Sequence, residues 1–122
     1  MASTALALRD AADSILDQDT MLARLEGDVE LLREIAALFL EDYPERLAAL
    51  HAAIAGGDAQ ALELAAHSLK GSLGNFAAER AVAAALRLEL IGRGGNLARA
   101  GEACAELEKE LARLTPLLEH LA

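Results

Sequence analysis

Long segments rich in alanine and leucine, separated by short glycine-containing breaks, constrain this sequence most strongly. The longest segment, from Val29 to Ala55, carries apolar residues at the spacing of one helical face: Leu32, Ile35, Leu38, Phe39, Leu47, Leu50 and Ile54. Alanine and leucine are the strongest helix formers, whereas strand-forming aromatic residues make up only 2% of the chain. The pattern therefore predicts an all-α fold.

Breaker residues place the helix boundaries. We predict helices over Thr4 to about Ile15, from the capping residues 17–20 to near Gly27, over Val29–Ala55, from about Ala59 past Gly71 towards Phe76, over about Glu79–Arg93, and over about Leu97–Leu121. Pro44 should kink or briefly break the long helix near Tyr43, and Pro116 should disturb the final turns. Gly56-Gly57-Asp58 is typical of a C-cap, a turn and an N-cap. Short connections favour antiparallel neighbours, so the four main helices should form one bundle domain.

Charge and composition exclude several classes of function. The 122 residues carry a net charge of −9, which argues against nucleic-acid binding because phosphate contacts need a basic footprint. Cys104 is the only cysteine, so a disulfide framework or CxxC metal site is excluded, and we expect it to be a small buried residue. The sequence has no signal-peptide pattern and no apolar run near the roughly 18 residues of a membrane span. We therefore expect a cytoplasmic protein that does not bind membranes.

One histidine stands out in the helix that begins near Ala59. At about 100° per residue, the apolar residues Leu62, Ala65, Leu69, Leu73 and Phe76 fall roughly 160–240° from His67. Lys70, Gly71 and Gly74 fall within about 60° of the histidine instead. His67 should therefore face solvent, beside a lysine and a strip of bare backbone.

The two glycines are costly in this position. Each glycine in a helix interior costs about 1 kcal/mol relative to alanine, and the core does not require either of these. What Gly71 and Gly74 provide is clearance for a bulky partner beside His67. An imidazole is substantially neutral near pH 7 and can act as a nucleophile without a dedicated base. Lys70 offers a mobile cation about where a phosphoryl group on the ring would lie, and Ser72 and Asn75 can add hydrogen bonds.

The charge distribution agrees with this interpretation. Between His67 and Arg99 five basic residues and two acidic ones give a balance of +3, whereas the remainder of the chain carries −12. A locally basic strip on an acidic protein favours an acidic or phosphorylated partner.

These residues resemble a known family. The stretch His67-Ser68-Leu69-Lys70-Gly71-Ser72 is similar to the H-x-L-K-G-S signature of histidine-containing phosphotransfer (HPt) domains. The likeness covers roughly residues 20–122, including the two central helices and the aspartate-led turn before the histidine helix. Two positions depart from the family pattern, because Leu73 stands where a small residue is frequent and Ala77 where glycine is common. We expect altered packing there and retained function.

The resemblance implies a four-helix bundle over residues 19–122, capped by one or two short N-terminal helices, with a capping helix and turn over residues 1–18. It implies a phosphoryl carrier in which His67 accepts the group through Nε2, Lys70 stabilises it, and Glu89 bonds the other ring nitrogen. Receiver docking is expected around the remaining positions of the patch: Ser68, Gly71, Ser72, Gly74, Asn75 and Arg93.

The resemblance also implies the partners. They are response-regulator receiver domains and a hybrid sensor histidine kinase, with Mg²⁺ bound to the receiver and no cofactor intrinsic to this chain. Such a domain has no kinase or ATP-binding module, and the family analogy favours a monomer.

Three alternatives compete with the phosphoryl carrier. A histidine-kinase dimerisation domain would carry an acidic residue after its histidine, where this chain has Ser68. A metal-binding bundle would draw on His51, His67 or His120, but no ExxH or HxxxH spacing occurs, so the sequence predicts no metal site. A helical-bundle interaction module without phosphoryl chemistry remains open.

Overall fold

The computed structural model describes residues 18–122 and consists there of five helices without strands. They are α1 (Gln18–Arg24), α2 (Val29–Ala55), α3 (Ala59–Gly74), α4 (Glu79–Gly94) and α5 (Ala100–Leu121). Helix α3 packs against α2 and α4, and α5 closes the ring by packing against α4 and α2. The predicted all-α bundle of four main helices is therefore confirmed, whereas the capping helix predicted between Thr4 and Ile15 lies outside the described residues.

Aspartate side chains cap the N-termini of two of the four main helices. Asp28 accepts a hydrogen bond from the backbone N–H of Leu31 at 3.0 Å, and Asp58 accepts one from Ala61 at 3.0 Å. The turn between α2 and α3 is the predicted one, because Gly56 caps α2, Gly57 adopts φ +65° and Asp58 is the N-cap of α3. This φ is in the left-handed region that glycine tolerates best. The short turn sets α2 and α3 side by side as antiparallel neighbours.

The expected break at Pro44 does not occur. Helix α2 continues as one element of 27 residues through the proline, and α5 likewise continues through Pro116 to Leu121. Both prolines are exposed. Each proline ring therefore lies on the outer face of its helix, where it does not disturb the packing against neighbouring helices.

Helix α5 begins three residues later than the sequence pattern predicts. The side chain of Asn96 accepts a hydrogen bond from the backbone N–H of Ala98 at 3.0 Å, which holds these residues in a turn. The helix then begins at Ala100, which is fully buried.

Leucine and alanine build the core, as the composition predicts. The largest fully buried leucines come from all four main helices: Leu32, Leu50, Leu62, Leu69, Leu73, Leu88, Leu107, Leu114 and Leu118. Cys104 is also buried, and burial raises the pKa of its thiol to about 11, with a smaller contribution from the Glu108 carboxylate. At one end Phe39 stacks on Tyr43 with ring centroids 5.6 Å apart and meets Phe76 edge-on at 5.4 Å. Among residues 18–122, no helix combines the length and apolar character needed to cross a bilayer.

Candidate functional site

His67 projects into solvent from the middle of α3. Its side chain is 69% exposed, whereas its neighbours Ala66 and Leu69 are fully buried. The helical period thus places the ring on the outer face of the bundle, and the prediction of a solvent-facing histidine is confirmed. Ala66 rather than Ala65 is the buried alanine of this turn, because α3 packs against helices on two sides.

A buried carboxylate from α4 holds the ring. Glu89 Oε1 lies 2.6 Å from His67 Nδ1, and the Glu89 side chain is only 3% exposed. Hydrogen bonds from Lys70 and His67 lower the pKa of Glu89, against the opposing effect of burial. An ionised carboxylate only accepts hydrogen bonds, so Nδ1 carries the hydrogen and donates. The lone pair of the ring is then on Nε2, the nitrogen on the side away from Glu89.

Lys70 lies one turn after His67 and binds the same carboxylate. Its Nζ is 3.0 Å from Glu89 Oε1 and 3.1 Å from Oε2, and its side chain is 26% exposed. The sequence predicted a cation beside the ring. The structure places the ammonium group at the carboxylate that holds Nδ1, where its charge offsets that of Glu89.

Arg93 completes the group of cations around Glu89. Its Nη2 lies 3.4 Å from Glu89 Oε2, and its Nε lies 3.5 Å from Glu63 Oε2. Arg93 thus joins α4 to α3 across the face that carries His67. The pairing with Glu63 was missed at the sequence level, although Glu63 lies one turn before His67.

The glycines near His67 fall into two classes. Within residues 18–122, a Cβ added at Gly71 or at Gly74 would meet no atom of another element within 4 Å, so neither glycine is needed for the packing of the described bundle. A Cβ at Gly92 would lie 2.6 Å from the backbone N of Glu63 and 2.8 Å from the carbonyl O of Ala59. Gly92 is therefore what lets α4 approach α3 closely enough for Glu89 to reach the ring. Sequence reasoning missed it, and the signal that could have found it is the series of buried small residues Ala81, Ala85 and Gly92 on α4.

The other predicted docking residues line the side of α3 that faces α2. Ser68 is exposed and its Oγ accepts a hydrogen bond from Arg46 Nη1, while Ser72 Oγ donates to the carbonyl of Ser68 at 3.4 Å. Asn75 caps the C-terminus of α3 and is exposed. Ser72 and Asn75 form one wall of a shallow groove between α2 and α3, lined by Ile35, Leu38, Phe39, Asp42, Arg46, Ser72, Asn75 and Phe76.

This groove carries an exposed apolar residue next to polar ones. Leu38 is 57% exposed, although it belongs to the apolar spacing that predicted helix α2. Arg46, which the sequence did not single out, lines the same groove and donates a hydrogen bond to Ser68, so it contributes one more cation to this face. The structure therefore places an apolar side chain, a hydroxyl group and a guanidinium together in this groove, and Arg46 connects it to Ser68, the residue that follows His67.

Together these groups suit nucleophilic attack by Nε2 of His67. The tautomer of the ring is fixed by Glu89, its Nε2 lone pair is available, and the carboxylate lies where it can compensate a positive charge on the ring. The backbone around Gly71 and Gly74 leaves the approach to the ring open.

Comparison with known proteins agrees with the fold and with the motif. The family described as the Hpt domain matches residues 34–115. The crystal structure of histidine-containing phosphotransfer protein B (HptB) from Pseudomonas aeruginosa PAO1 is similar to this chain, with a TM-score of 0.80 and 34% sequence identity over 87% of this chain and 92% of that one. No protein of curated function matches the sequence. The chain therefore belongs to the Hpt domain family, whose members carry phosphoryl groups by histidine phosphotransfer in phosphorelay signalling.

Proposed function

We propose that this protein accepts a phosphoryl group from the aspartate of one receiver domain on Nε2 of His67 and passes it to the aspartate of another. The observation that carries the proposal is the pairing of an exposed imidazole with a buried carboxylate, 2.6 Å from Nδ1. This contact selects the tautomer with its lone pair on Nε2, the nitrogen that an incoming partner can reach.

The transfer balances as a displacement at phosphorus. The Nε2 lone pair forms the N–P bond while the acyl-phosphate O–P bond breaks, and the receiver carboxylate leaves with that electron pair. The hydrogen on Nδ1 stays in place, so the phosphorylated ring is formally cationic. Glu89 then compensates that charge from within hydrogen-bonding distance, which favours the phosphorylated state. The return step to a second aspartate is the same displacement in reverse.

Lys70 and Arg93 divide their roles in this proposal. Both bind Glu89, at 3.0 Å and 3.4 Å. When a phosphoryl group occupies Nε2, the flexible Lys70 ammonium can turn to its oxygens, while Arg93 remains with Glu89 and Glu63. The carboxylate thus keeps a cationic partner in both states. We assign Mg²⁺ to the receiver and no step to a cofactor of this chain.

Receiver docking uses the open side of α3 and the groove beside it. In the part of the chain that the structure describes, no other element comes within 4 Å of a Cβ at Gly71 or Gly74, which supports this, as does the exposed Leu38 beside Ser72 and Asn75. We expect an apolar surface of the partner to pack against this groove while the partner's phosphorylated aspartate faces His67.

Phosphoryl labelling tests the assignment of His67. The protein is incubated with a phosphorylated receiver and Mg²⁺, and transfer of label is followed over time. Wild type, His51→Gln and His120→Gln should all become labelled, whereas His67→Gln should remain unlabelled. The bond formed should be labile in acid and stable in base, as expected for phosphohistidine. Persistent labelling of His67→Gln would remove the assignment, and absence of label from every variant with all receivers tested would favour a plain interaction bundle.

Two further variants separate transfer from docking. Lys70→Ala should slow transfer without changing the receiver Kd by more than about twofold, and Lys70→Arg should restore part of the rate because it keeps the charge. Gly71→Leu should weaken receiver binding while far-ultraviolet circular dichroism remains that of wild type. An unchanged transfer rate in Lys70→Ala, or an unchanged Kd in Gly71→Leu, would contradict the corresponding role.

A further inference from the structure

Three side chains with metal-ligating atoms meet between α2 and α5, on helices other than the one that carries His67. They are His51 near the end of α2 and Cys104 and Glu108, one turn apart on α5. Their donor atoms, Nε2, Sγ and a carboxylate oxygen, all lie within 4.8 Å of one another. His51 Nε2 is paired with Glu108 Oε1, and Cys104 Sγ lies 3.8 Å from the same oxygen.

The geometry is close to that of a tetrahedral metal site. Zinc bonds of about 2.3 Å to sulfur and about 2.0–2.1 Å to nitrogen or oxygen place neighbouring ligand atoms about 3.3–3.6 Å apart. The 3.8 Å separation of Sγ and Oε1 is nearly this value, and His51 needs only to move away from the carboxylate with which it is now in contact. Rotation of the exposed His51 and Glu108 side chains would adjust the remaining separations, because the three donor atoms already lie within 4.8 Å of one another.

The donor set selects the kind of metal. A thiolate and an imidazole are the ligands preferred by zinc among the common divalent cations, and a carboxylate oxygen is compatible with them. We propose that His51, Cys104 and Glu108 bind one Zn²⁺ at the contact between α2 and α5, with water in the fourth position.

The surroundings fit an open site with one fixed ligand. Cys104 is 2% exposed and is held by the core, whereas the side chains of His51 and Glu108 are 57% and 39% exposed. The metal can therefore enter from solvent, and the fourth position faces water. On binding, the Cys104 S–H proton leaves to solvent as the Zn–S bond forms.

Glu89, the carboxylate beside His67, is less suited to bind a metal ion than Glu108. Glu89 is shared with Lys70 and Arg93, whose positive charges oppose a divalent cation. Glu108 is instead paired with His51 and the Cys104 thiol, two groups that can both become ligands. Zn²⁺ at this cluster would join His51 of α2 to ligands 53 and 57 positions later on α5, so it would stabilise the native bundle and leave His67 uncovered.

Cobalt titration of the untagged, chelator-treated protein tests the site. Co²⁺ should bind with a stoichiometry of one and produce thiolate-to-metal charge-transfer absorption, and Zn²⁺ should displace it. Zn²⁺ should also raise the Tm by about 10 °C when the free metal exceeds its Kd by about 100-fold. His51→Gln and Glu108→Gln should each weaken binding by at least tenfold, and Cys104→Ala should abolish the charge-transfer band. His67→Gln and His120→Gln are the matched controls and should bind as wild type does.

Two of the three ligands are exposed, so they can be replaced without disturbing the folding of the protein. His51→Gln and Glu108→Gln alter surface side chains, so they report on the site even if Cys104→Ala perturbs the core. Binding that is retained in both of these variants would overturn the proposal. So would binding lost in His67→Gln, or a doubling of the molecular mass on metal addition, because the metal would then lie elsewhere or between two copies.

Discussion

Replacement of Gly92 by alanine tests the packing that the functional site depends on. The added Cβ would lie 2.6 Å from the backbone N of Glu63, 2.8 Å from the carbonyl O of Ala59 and 2.9 Å from the Cα of Glu63. All three are backbone atoms of the neighbouring helix α3, so no side-chain rotation can relieve the contact. Helices α3 and α4 must move apart locally.

The magnitude follows from two opposing effects. Overpacking of a well-packed contact costs typically about 1–3 kcal/mol, and contacts this short against backbone belong at the upper end. Alanine regains about 0.5–1 kcal/mol over glycine in a helix interior. We therefore expect Gly92→Ala to lower the free energy of unfolding by about 2 kcal/mol.

Gly71 provides a matched control in the neighbouring helix. A Cβ there meets no other element of the described chain within 4 Å, so we expect only the helix propensity to change. Gly71→Ala should raise the free energy of unfolding by about 0.5–1 kcal/mol. The two Gly→Ala changes thus have opposite signs and differ by about 3 kcal/mol.

Urea denaturation followed by circular dichroism measures both variants under the same conditions. The midpoint should fall for Gly92→Ala and rise for Gly71→Ala, with similar m-values if both unfold in two states. A Gly92→Ala protein as stable as wild type would refute the close approach of α3 and α4. A destabilised Gly71→Ala protein would refute the open space on the outer side of α3.

Three further predictions concern single residues. Ala77 adopts φ +48° in the turn after α3, so Ala77→Gly should raise the free energy of unfolding by about 1 kcal/mol in urea denaturation; an unchanged midpoint would contradict the strain. Arg24 Nη1 donates a hydrogen bond to the carbonyl O of Gly74 at 2.8 Å, so Arg24→Met should lower the free energy of unfolding by about 1 kcal/mol. The control Arg33→Met, at an exposed position of α2, should leave the free energy of unfolding unchanged. The pKa of Glu89 is lowered from 4.5 in the fold, chiefly by the hydrogen bond from Lys70, so its stabilising effect is present above pH 4.5 and is lost as the pH falls through the lower native value. The stability of wild type relative to Glu89→Gln should therefore be constant near neutral pH and decline below pH 4.5, and a pH-independent difference would contradict the lowered pKa.

Helix periodicity predicts the direction in which a side chain points relative to other residues of the same helix. The outward direction of His67 follows from the spacing of Leu62, Leu69 and Leu73, because residues on one helix keep fixed angles to one another. The Gly56-Gly57-Asp58 turn follows from local chemistry in the same way. The prediction of a break at Pro44 was wrong because α2 packs against the bundle on both sides of the proline, through Leu32, Phe39 and Leu50, and the linear pattern does not contain this tertiary packing.

Helix periodicity does not predict which side chains of different helices come into contact. The pairing of His67 with Glu89 was expected from the family resemblance, whereas the pairing of Arg46 with Ser68 was not expected at all. Both join residues 22 positions apart, and the rotation of each helix about its axis decides whether their side chains meet. The cluster of His51 with Cys104 has the same origin, since only closure of α5 onto α2 brings them together.

The charges around Glu89 explain why its contacts must form as a set. Glu89 and Glu63 supply two negative charges, and Lys70 and Arg93 supply two positive ones, so the four side chains are neutral together before the proposed phosphorylation. A buried carboxylate without these cations would favour its protonated form, which could donate a hydrogen to Nδ1 and shift the lone pair away from Nε2. The separation of α3 from α4 in Gly92→Ala would lengthen the contacts of Glu89 with His67 and Lys70 together, because both belong to α3. In the proposed carrier, Gly92→Ala should therefore slow phosphoryl transfer more than Gly71→Ala, even at temperatures where both variants are folded.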